Sequence, residues 1–223
     1  LPVPFGEGQS LHCYYVAECP SNIQKSLRYF FPVLGGMNVR VISGSARGQK
    51  LKSVPGVTTR PTTDRVKENL FNILGSRVID AVFLDLFAGN GGMGIEALSR
   101  GAKLAVFIDK SRACTKMIRT NLEEVGFVDR ARVYTNDALK AAAVLGRQGA
   151  KFDLIYVDPP YQTGLVAKSL AAISQFSLLA EDGLVIAEYG KKEEIAQFAL
   201  NLVRVREEKY GDTVLGFYRS KGD

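Results

Sequence analysis

The sequence predicts an α/β protein built on an open, mostly parallel sheet of seven strands. Two patterns indicate this class. Between residues 64 and 188, short apolar runs alternate with segments of helical periodicity, and this alternation is typical of parallel strands that are covered by helices on both faces. At the C-terminal end, residues 203–207 and 213–219 bracket a Lys-Tyr-Gly-Asp turn, which predicts an antiparallel hairpin.

The remaining elements are placed by apolar runs and by the residues that start and stop helices. Ser111 is a favourable N-cap, and Gly126 is a favourable terminator for the helix that Ser111 begins. The predicted strands cover 81–86, 104–108, 131–135, 152–157 and 183–188, and the predicted helices cover 93–100, the segment from Ser111 to Gly126, 138–145 and 164–176.

A basic hairpin and a helix precede this alternation. Residues 39–42 and 50–54 are predicted strands on either side of a Ser-Gly-Ser-Ala-Arg-Gly loop. A helix is predicted around 64–74, where apolar residues recur at helical spacing. We interpret residues 37–75 as a small N-terminal hairpin and helix extension on a sheet domain that spans residues 76–223.

The first 36 residues differ from the rest of the chain. They contain prolines and aromatic residues without clear periodicity, and they end in Gly35-Gly36 before Met37. No basic stretch precedes a continuous apolar core, so a secretory signal is not predicted. We interpret residues 1–36 as an extension outside the functional core and expect the functional protein to begin at Met37.

Composition excludes several classes of protein and site. With 223 residues, 46% hydrophobic and 23% charged, the chain is long enough for one globular core. No apolar run approaches the ~18–20 residues of a membrane span. The single histidine, His12, argues against Ser/His pairs and histidine metal sites, and the three cysteines lack paired metal spacing. We expect a cytoplasmic protein without a metal and without a disulfide framework.

The positive charge is confined to one short stretch. The net charge is +6, from 29 basic and 23 acidic residues. Residues 1–36 carry two of each sign and residues 68–223 carry twenty of each, so the excess lies in 37–67, where seven bases face one acid. Such a run is often a solvated face, but its concentration beside a neutral body favours contact with a polyanion.

Glycines and acids follow the first strands of the sheet domain. Gly89, Gly91 and Gly94 match the G-x-G-x-x-G pattern, and Asp109 ends the next strand 20 residues after Gly89. This is the dinucleotide fingerprint. However, Asp85 lies four residues before the first glycine, where a carboxylate would meet a cationic group of the ligand.

S-adenosylmethionine (SAM) fits this pattern better than a dinucleotide. It carries an ammonium group and no pyrophosphate, and its ribose hydroxyls can donate hydrogen bonds to Asp109. Asp137, in an Asn-Asp-Ala sequence after the third strand, is predicted to face the adenine. Asp109 and Asp137 could each be only a helix cap, and the glycines could form a plain turn. The predicted cofactor residues are Asp85, Phe87, Ala88, Gly89, Asn90, Gly91, Gly94, Asp109, Asp137 and Ala138.

The fourth strand ends in Asp158-Pro159-Pro160-Tyr161. Two prolines fix the direction of the carbonyl between them, and a rigid loop is the simplest interpretation. Beside a methyl donor the same residues have a chemical use. The Asp158 carboxylate and the Pro159 carbonyl can accept the N–H groups of an exocyclic base amine, freeing its lone pair, while Tyr161 stacks on the base. No metal or histidine is required.

These motifs resemble the class I SAM-dependent methyltransferases that act on exocyclic amines, which have a Rossmann-like fold. Three stretches resemble the bacterial RsmD family in particular. They are Arg-Val-Ile-Ser-Gly from Arg40, Arg-Pro-Thr-Thr-Asp-Arg-Val from Arg60 and Asp-Leu-Phe-Ala-Gly from Asp85. The resemblance covers residues 37–219 and implies a 16S rRNA (guanine-N2)-methyltransferase. It implies ribosomal RNA as the partner, free or in the small subunit, and we expect a monomer. The predicted RNA-binding residues are Arg40, Arg47, Lys50, Arg60, Thr62 and Arg65.

Two alternative functions stay open on the sequence. A DNA methyltransferase acting on adenine N6 or cytosine N4 would use the same Asp-Pro-Pro-Tyr motif, although the chain has no room for a separate target-recognition domain. A non-catalytic RNA-binding module would keep the basic stretch and lose the glycine loop, whereas this loop is complete.

Overall fold

The predicted alternation of strands and helices is present in a computed structural model, which describes residues 39–54 and 64–221. The predictions for residues 1–36, Met37, Arg60 and Thr62 lie outside the described residues. The strands are β1 Val39–Arg40, β2 Lys50–Leu51, β3 Val82–Asp85, β4 Leu104–Asp109, β5 Ala131–Thr135, β6 Phe152–Val157, β7 Leu179–Gly190, β8 Phe198–Ala199, β9 Leu202–Tyr210 and β10 Thr213–Ser220. The α-helices are α1 Asp64–Leu74, α2 Gly92–Ser99, α3 Arg112–Val125, α4 Ala138–Arg147 and α5 Leu165–Gln175.

The main sheet confirms the predicted fold class and contains one more strand than predicted. Its order is β5-β4-β3-β6-β7-β10-β9-β8. The five strands from β5 to β7 are parallel, and β7, β10, β9 and β8 pair antiparallel. The eighth strand, β8, has two residues that pair with the start of β9, too few to form a periodic pattern in the sequence.

The strand β7 is also longer than the predicted 183–188. Of its first four residues, Glu181 and Asp182 are exposed and Ala180 is half-buried, and Phe152 pairs with Leu179 before the register shifts. The apolar run that marks a buried strand begins only at Leu184. The prediction therefore captured the buried part of the strand.

Alternate residues of the central strands enter two separate cores, one on each face of the sheet. Phe83, Phe107 and Tyr156 belong to the first core, which also receives α1, α2 and α3. Leu84 and Ile155 belong to the second, under α4 and α5. This period-two division explains why the strands appear in the sequence as continuous apolar runs.

The limits of α3 are set by the two residues that predicted them. The Ser111 hydroxyl accepts a hydrogen bond from the Cys114 N–H at 3.3 Å, and Gly126 adopts a left-handed conformation with φ of 75°. Of the helices that the structure describes, none has the length and apolar character needed to cross a membrane.

The N-terminal hairpin is tied to α2 through buried polar groups. Strands β1 and β2 pair antiparallel, as predicted, with Val39 opposite Leu51. The fully buried Glu96 accepts the backbone N–H groups of Ile42 at 2.7 Å and Ser43 at 3.0 Å. Gly44 passes so close to α2 that an added Cβ would lie 1.9 Å from the Ser99 carbonyl oxygen.

Glu96 also joins two cations. The Arg100 guanidinium lies 2.7 Å away and the Lys67 ammonium, on α1, lies 3.6 Å away, with Lys67 itself only 2% exposed. Burial lowers the pKa of Lys67, and the adjacent Glu96 carboxylate opposes this change. Glu96 is therefore the common partner of the hairpin, α1 and α2.

We predict that Glu96→Ala lowers the free energy of unfolding by about 3–5 kcal/mol, because it removes the counter-ion of the buried Lys67 and the acceptor of two half-buried backbone N–H groups. Urea denaturation measures the change. Glu124→Ala is the control, since Glu124 pairs with Lys52 on the surface with 42% of its side chain exposed, and such pairs contribute at most about 1 kcal/mol. Equal losses in the two variants would contradict this account of Glu96.

Candidate active site

A cavity of about 480 Å³ opens at the carboxyl ends of the parallel strands. The chain runs from β3 outward to β5 and then returns to β6 on the other side of β3. Such a switch point is where open α/β sheets bind ligands. The predicted site residues that line the cavity are Asp85, Phe87, Ala88, Gly89, Asn90, Asp109, Asp137, Ala138, Asp158, Pro159, Pro160 and Tyr161.

Asp85 is the most deeply buried acid of the cavity. It is 1% exposed, and its Oδ1 atom has no hydrogen-bond partner among the described residues. Burial and, to a smaller extent, the Asp109 carboxylate raise the pKa of Asp85 to about 7, against the effect of the Gly94 and Phe87 N–H groups. A buried acceptor without a partner is costly, so this position suits a ligand that brings a cation.

Two predicted cofactor residues, Gly91 and Gly94, do not line the cavity that the described residues form. Gly91 turns the chain into α2 with φ of 82°, a conformation that glycine adopts without strain. An added Cβ at Gly94 would lie 2.3 Å from the Phe107 ring. The structure therefore gives these glycines a role in shaping the loop.

Asp109 joins the glycine loop to the start of α3, with one oxygen bound to each. Its Oδ2 accepts the Gly89 N–H at 2.8 Å, and its Oδ1 accepts the Ser111 N–H at 2.8 Å. The cap of α3 is Ser111, not Asp109. Each carboxylate oxygen can accept a second hydrogen bond, so these contacts are compatible with the predicted contact to ribose.

Asp137 is the N-cap of α4, as one interpretation of the sequence allowed. Its Oδ1 accepts the N–H groups of Leu139 at 3.0 Å and Lys140 at 3.1 Å. Asp137 also lines the cavity, together with Ala138. The cap holds this segment at the edge of the cavity.

The Asp158-Pro159-Pro160-Tyr161 segment forms another wall of the cavity. Burial, followed by the Glu188 and Asp85 carboxylates, raises the pKa of Asp158 well above its usual value. The loop is braced by the Thr163 hydroxyl, which donates to the Pro160 carbonyl at 2.7 Å.

The Tyr161 side chain is held at both ends. Its hydroxyl donates to Glu188 Oε1 at 3.3 Å and lies 3.3 Å from the Thr213 hydroxyl. Its ring packs closely on Gly190, where an added Cβ would lie 3.3 Å from Cδ2. The ring therefore has a defined orientation at the cavity.

Several residues that line the cavity were not predicted from the sequence, among them Lys67, Tyr156 and Glu188. Glu188 ends an apolar run as Asp85, Asp109 and Asp158 do, and this shared pattern could have identified it. Outside the cavity lining, Asn121 is fully buried beneath the glycine loop. It accepts the Lys52 N–H at 2.8 Å and donates to the Asn90 carbonyl at 3.0 Å. No pattern in the sequence marks Asn121.

Four predicted RNA-binding residues lie on the surface, and none of the four lines the cavity. Arg47, Lys50 and Arg65 are exposed and have no ion-pair partner in the described part of the chain. Arg40 is exposed and pairs with Asp64 at 3.0 Å. Lys67, which the charge count placed in the same basic run, is buried and adds nothing to the surface.

The family follows from comparison with known proteins. A family model described as "Conserved hypothetical protein 95" matches residues 39–219, which include all the described cavity residues. The chain belongs to this family.

Relatives in the family have informative names. The chain is 40% identical over 184 residues to "Putative rRNA methyltransferase YlbH" of Bacillus subtilis, covering 82% of this chain and 100% of that protein. It is 34% identical over 185 residues to "Ribosomal RNA small subunit methyltransferase D" of Escherichia coli, covering 83% and 91%. A solved structure, "Putative methyltransferase yhhF from Escherichia coli", matches with a TM-score of 0.74 at 33% identity, covering 83% and 99%.

We predict that SAM binding depends on the ionisation of Asp85. Because its pKa is about 7 and a cationic ligand favours the carboxylate, lowering the pH from 7 to 5.5 should weaken binding about tenfold. Calorimetry at constant ionic strength measures the change.

Asp85→Asn is the matched variant for this experiment. It should bind SAM at least about tenfold more weakly at pH 7 and show a flatter pH profile. The neighbouring carboxylates of Asp109 and Asp158 stay in place and control for their own titration. Parallel profiles in the two proteins would contradict the assignment to Asp85.

Proposed function

We propose that this chain transfers a methyl group from SAM to the exocyclic N2 amine of a guanine in small-subunit ribosomal RNA. The observation that carries the proposal is that one cavity holds both the Asp85 carboxylate, whose Oδ1 has no partner among the described residues, and the Asp158-Pro159-Pro160-Tyr161 wall. The names of the relatives support an rRNA methyltransferase. The choice of guanine N2 rests on the resemblance to the RsmD family.

One set of cavity residues would bind the methyl donor, and a second set would bind the base that receives the methyl group. Asp85 would accept the ammonium group of the methyl donor, Asp109 its ribose hydroxyls, and the Asp137–Ala138 segment its adenine. The Phe87–Asn90 loop would lie along the donor. Gly91 and Gly94 would support this loop from below, through the turn and the close helix packing described above.

The donor supplies an activated methyl group, so the protein has to position and deprotonate the acceptor amine. The Asp158 carboxylate and the Pro159 carbonyl would each accept a hydrogen bond from one N–H group of the amine. These two hydrogen bonds would make the lone pair of the amine nitrogen available. Pro160 would keep that carbonyl in a fixed direction. The raised pKa of Asp158 suits it to receive the proton that leaves the amine. Tyr161 would stack on the base and hold it in line.

RNA would bind along the surface of the hairpin and α1. Arg47, Lys50 and Arg65 present cations to solvent there, and Arg40 presents a cation that is partly neutralised by Asp64. Arg60 and Thr62 belong to the same proposal through the sequence. Residues 37–75 would thus bind RNA and residues 76–223 would carry the chemistry.

The wider setting is also a proposal. We propose that the chain acts in the cytoplasm as a monomer, on RNA that is free or assembled into the small subunit. No metal is assigned a role, because the methyl donor is already activated. Among the described residues, no three His, Cys, Asp or Glu side chains are grouped so that they could hold a metal ion.

We predict that Asp158→Asn lowers the rate of RNA methylation by about 10² or more while SAM affinity changes little. Tyr161→Ala should lower the rate through lost stacking, which contributes ~1–3 kcal/mol per base. Single-turnover methylation, followed by mass analysis of the nucleosides, measures both rates and identifies the product. Wild-type rates in both variants would refute the proposed role of this wall, and a product other than N2-methylguanine would refute the proposed reaction.

We predict that the double variant Arg47→Gln, Lys50→Gln weakens RNA binding and reduces the magnitude of the log–log salt slope by about 1–2 units, roughly one per lost phosphate contact. A salt titration of RNA affinity measures the slope. The control removes the same charge from Arg147 and Lys151, two exposed residues at the end of α4 and just before β6. Helix α4 packs on the face of the sheet that does not carry the hairpin. The same slope in the parent protein and the first variant would indicate a merely solvated face.

A further inference from the structure

A second carboxylate stands beside Asp158 at the exit of the adjacent strand. Tyr156 on β6 is in register with Ile186 on β7, and Val157 with Ala187. Asp158 and Glu188 are the next residues on each chain, so they fall at the same level of the sheet. Side chains two residues apart point to the same side, which places Glu188 on the side of Ile186 and Tyr156. Both acids line the cavity.

Phenols fix the orientation of this second carboxylate. Glu188 is 4% exposed. The Tyr156 hydroxyl donates to its Oε2, and the Tyr161 hydroxyl donates to its Oε1 at 3.3 Å. A carboxylate offers about four acceptor positions, and Glu188 lines the cavity. Glu188 therefore presents a rigid hydrogen-bond acceptor to the cavity, next to the acceptor that the proposed function assigns to the amine.

Two neighbouring acceptors select the edge of a base that carries two neighbouring donors. In guanine the N2 amine lies beside the N1–H group, which is also a donor. In adenine and cytosine the exocyclic amine lies beside a ring nitrogen with a lone pair, which is an acceptor. A ring lone pair facing Glu188 would set two acceptors against each other in a buried site, and such a mismatch is strongly disfavoured.

Building on the proposed function, we infer that Glu188 accepts the N1–H group of the target base and thereby makes the site select guanine. Asp158 and Pro159 then bind the N2 amine, while Tyr161, held by Glu188 itself, stacks on the ring. The proximity of the two acids is consistent with this arrangement, because Glu188 is the second cause, after burial, of the raised pKa of Asp158. Both N–H donors of guanine would relieve that repulsion.

The test compares guanine with 2-aminopurine, which keeps the N2 amine but has a lone pair at N1. Each base is placed at the methylated position of small-subunit RNA by ligation of a synthetic piece. The RNA is presented in whichever form, free or assembled, the wild type methylates. The wild type should prefer guanine by about 10²-fold or more in kcat/KM, as expected for a site built to bind an N–H group.

Glu188→Gln replaces an acceptor by an amide that can donate to the N1 lone pair. It should lower kcat/KM for guanine and raise or retain that for 2-aminopurine, so that the preference falls to less than about tenfold. Thr213→Val is the matched control, since it removes the other polar neighbour of the Tyr161 hydroxyl and leaves Glu188 in place. This control should keep the wild-type preference. Unchanged SAM affinity in both variants establishes that they are folded.

The outcomes separate the inference from the function on which it rests. Equal losses on both bases in Glu188→Gln would mean that Glu188 only positions Tyr161, and would overturn the inference alone. If the wild type prefers guanine to 2-aminopurine by less than about tenfold, the inference is overturned as well. This measurement does not depend on the folding of any variant. If the wild type forms no N2-methylguanine in either form of the RNA, the proposed function itself fails.

Discussion

The register of the parallel strands is the constraint on which the site depends. Asp85 is paired with Phe107 on β4 and with Tyr156 on β6, and the next residues on the same side of those two chains are Asp109 and Asp158. Hydrogen bonding between strands thus brings together carboxylates that lie up to 73 positions apart in the sequence. Burial first, and then the neighbouring carboxylates, raise the pKa values of Asp85 and Asp158, so part of the rise reflects the electrostatic cost of this concentration. A ligand that brings a cation or N–H donors offsets that cost.

The same concentration of acids explains how a basic protein can recognise a base within a polyanion. The surface cations Arg47, Lys50 and Arg65 lie outside the cavity, whereas the cavity is lined by five acids against two lysines. The surface cations attract RNA phosphates, and the acids of the cavity repel them. A neutral base that leaves the stack can enter the cavity, whereas its phosphate cannot. This arrangement, with cations outside the cavity and acids within it, favours the binding of an extruded nucleotide.

The sequence predicted the features that are local. Caps such as Ser111 and Gly126 and the acids at strand exits are determined by a few neighbouring residues, and they appear in the structure where they were expected. Strand limits were predicted less well, since β1 and β2 are shorter than predicted and β7 is longer. Glu96, Lys67 and Asn121 were not anticipated, because their roles depend on partners 29 to 69 positions away. Lys67 is the clearest case, since charge counting assigned it to the surface and only tertiary packing buries it. The role of the glycine pair at 91 and 94 was likewise decided by packing against Ile118 and Phe107.

The side chain of Asn121 has a consequence for how the two substrates communicate. One amide holds the backbone of Lys52, at the end of the basic hairpin, and the carbonyl of Asn90, in the loop beside the cavity. A shift of the hairpin on meeting RNA would act on this loop through the Asn121 amide. Thermodynamic reciprocity then requires that the factor by which RNA alters cofactor affinity equals the factor by which cofactor alters RNA affinity. The demethylated cofactor would also change RNA affinity, by a factor of its own. The difference between this factor and the factor for SAM would determine how readily methylated RNA is released.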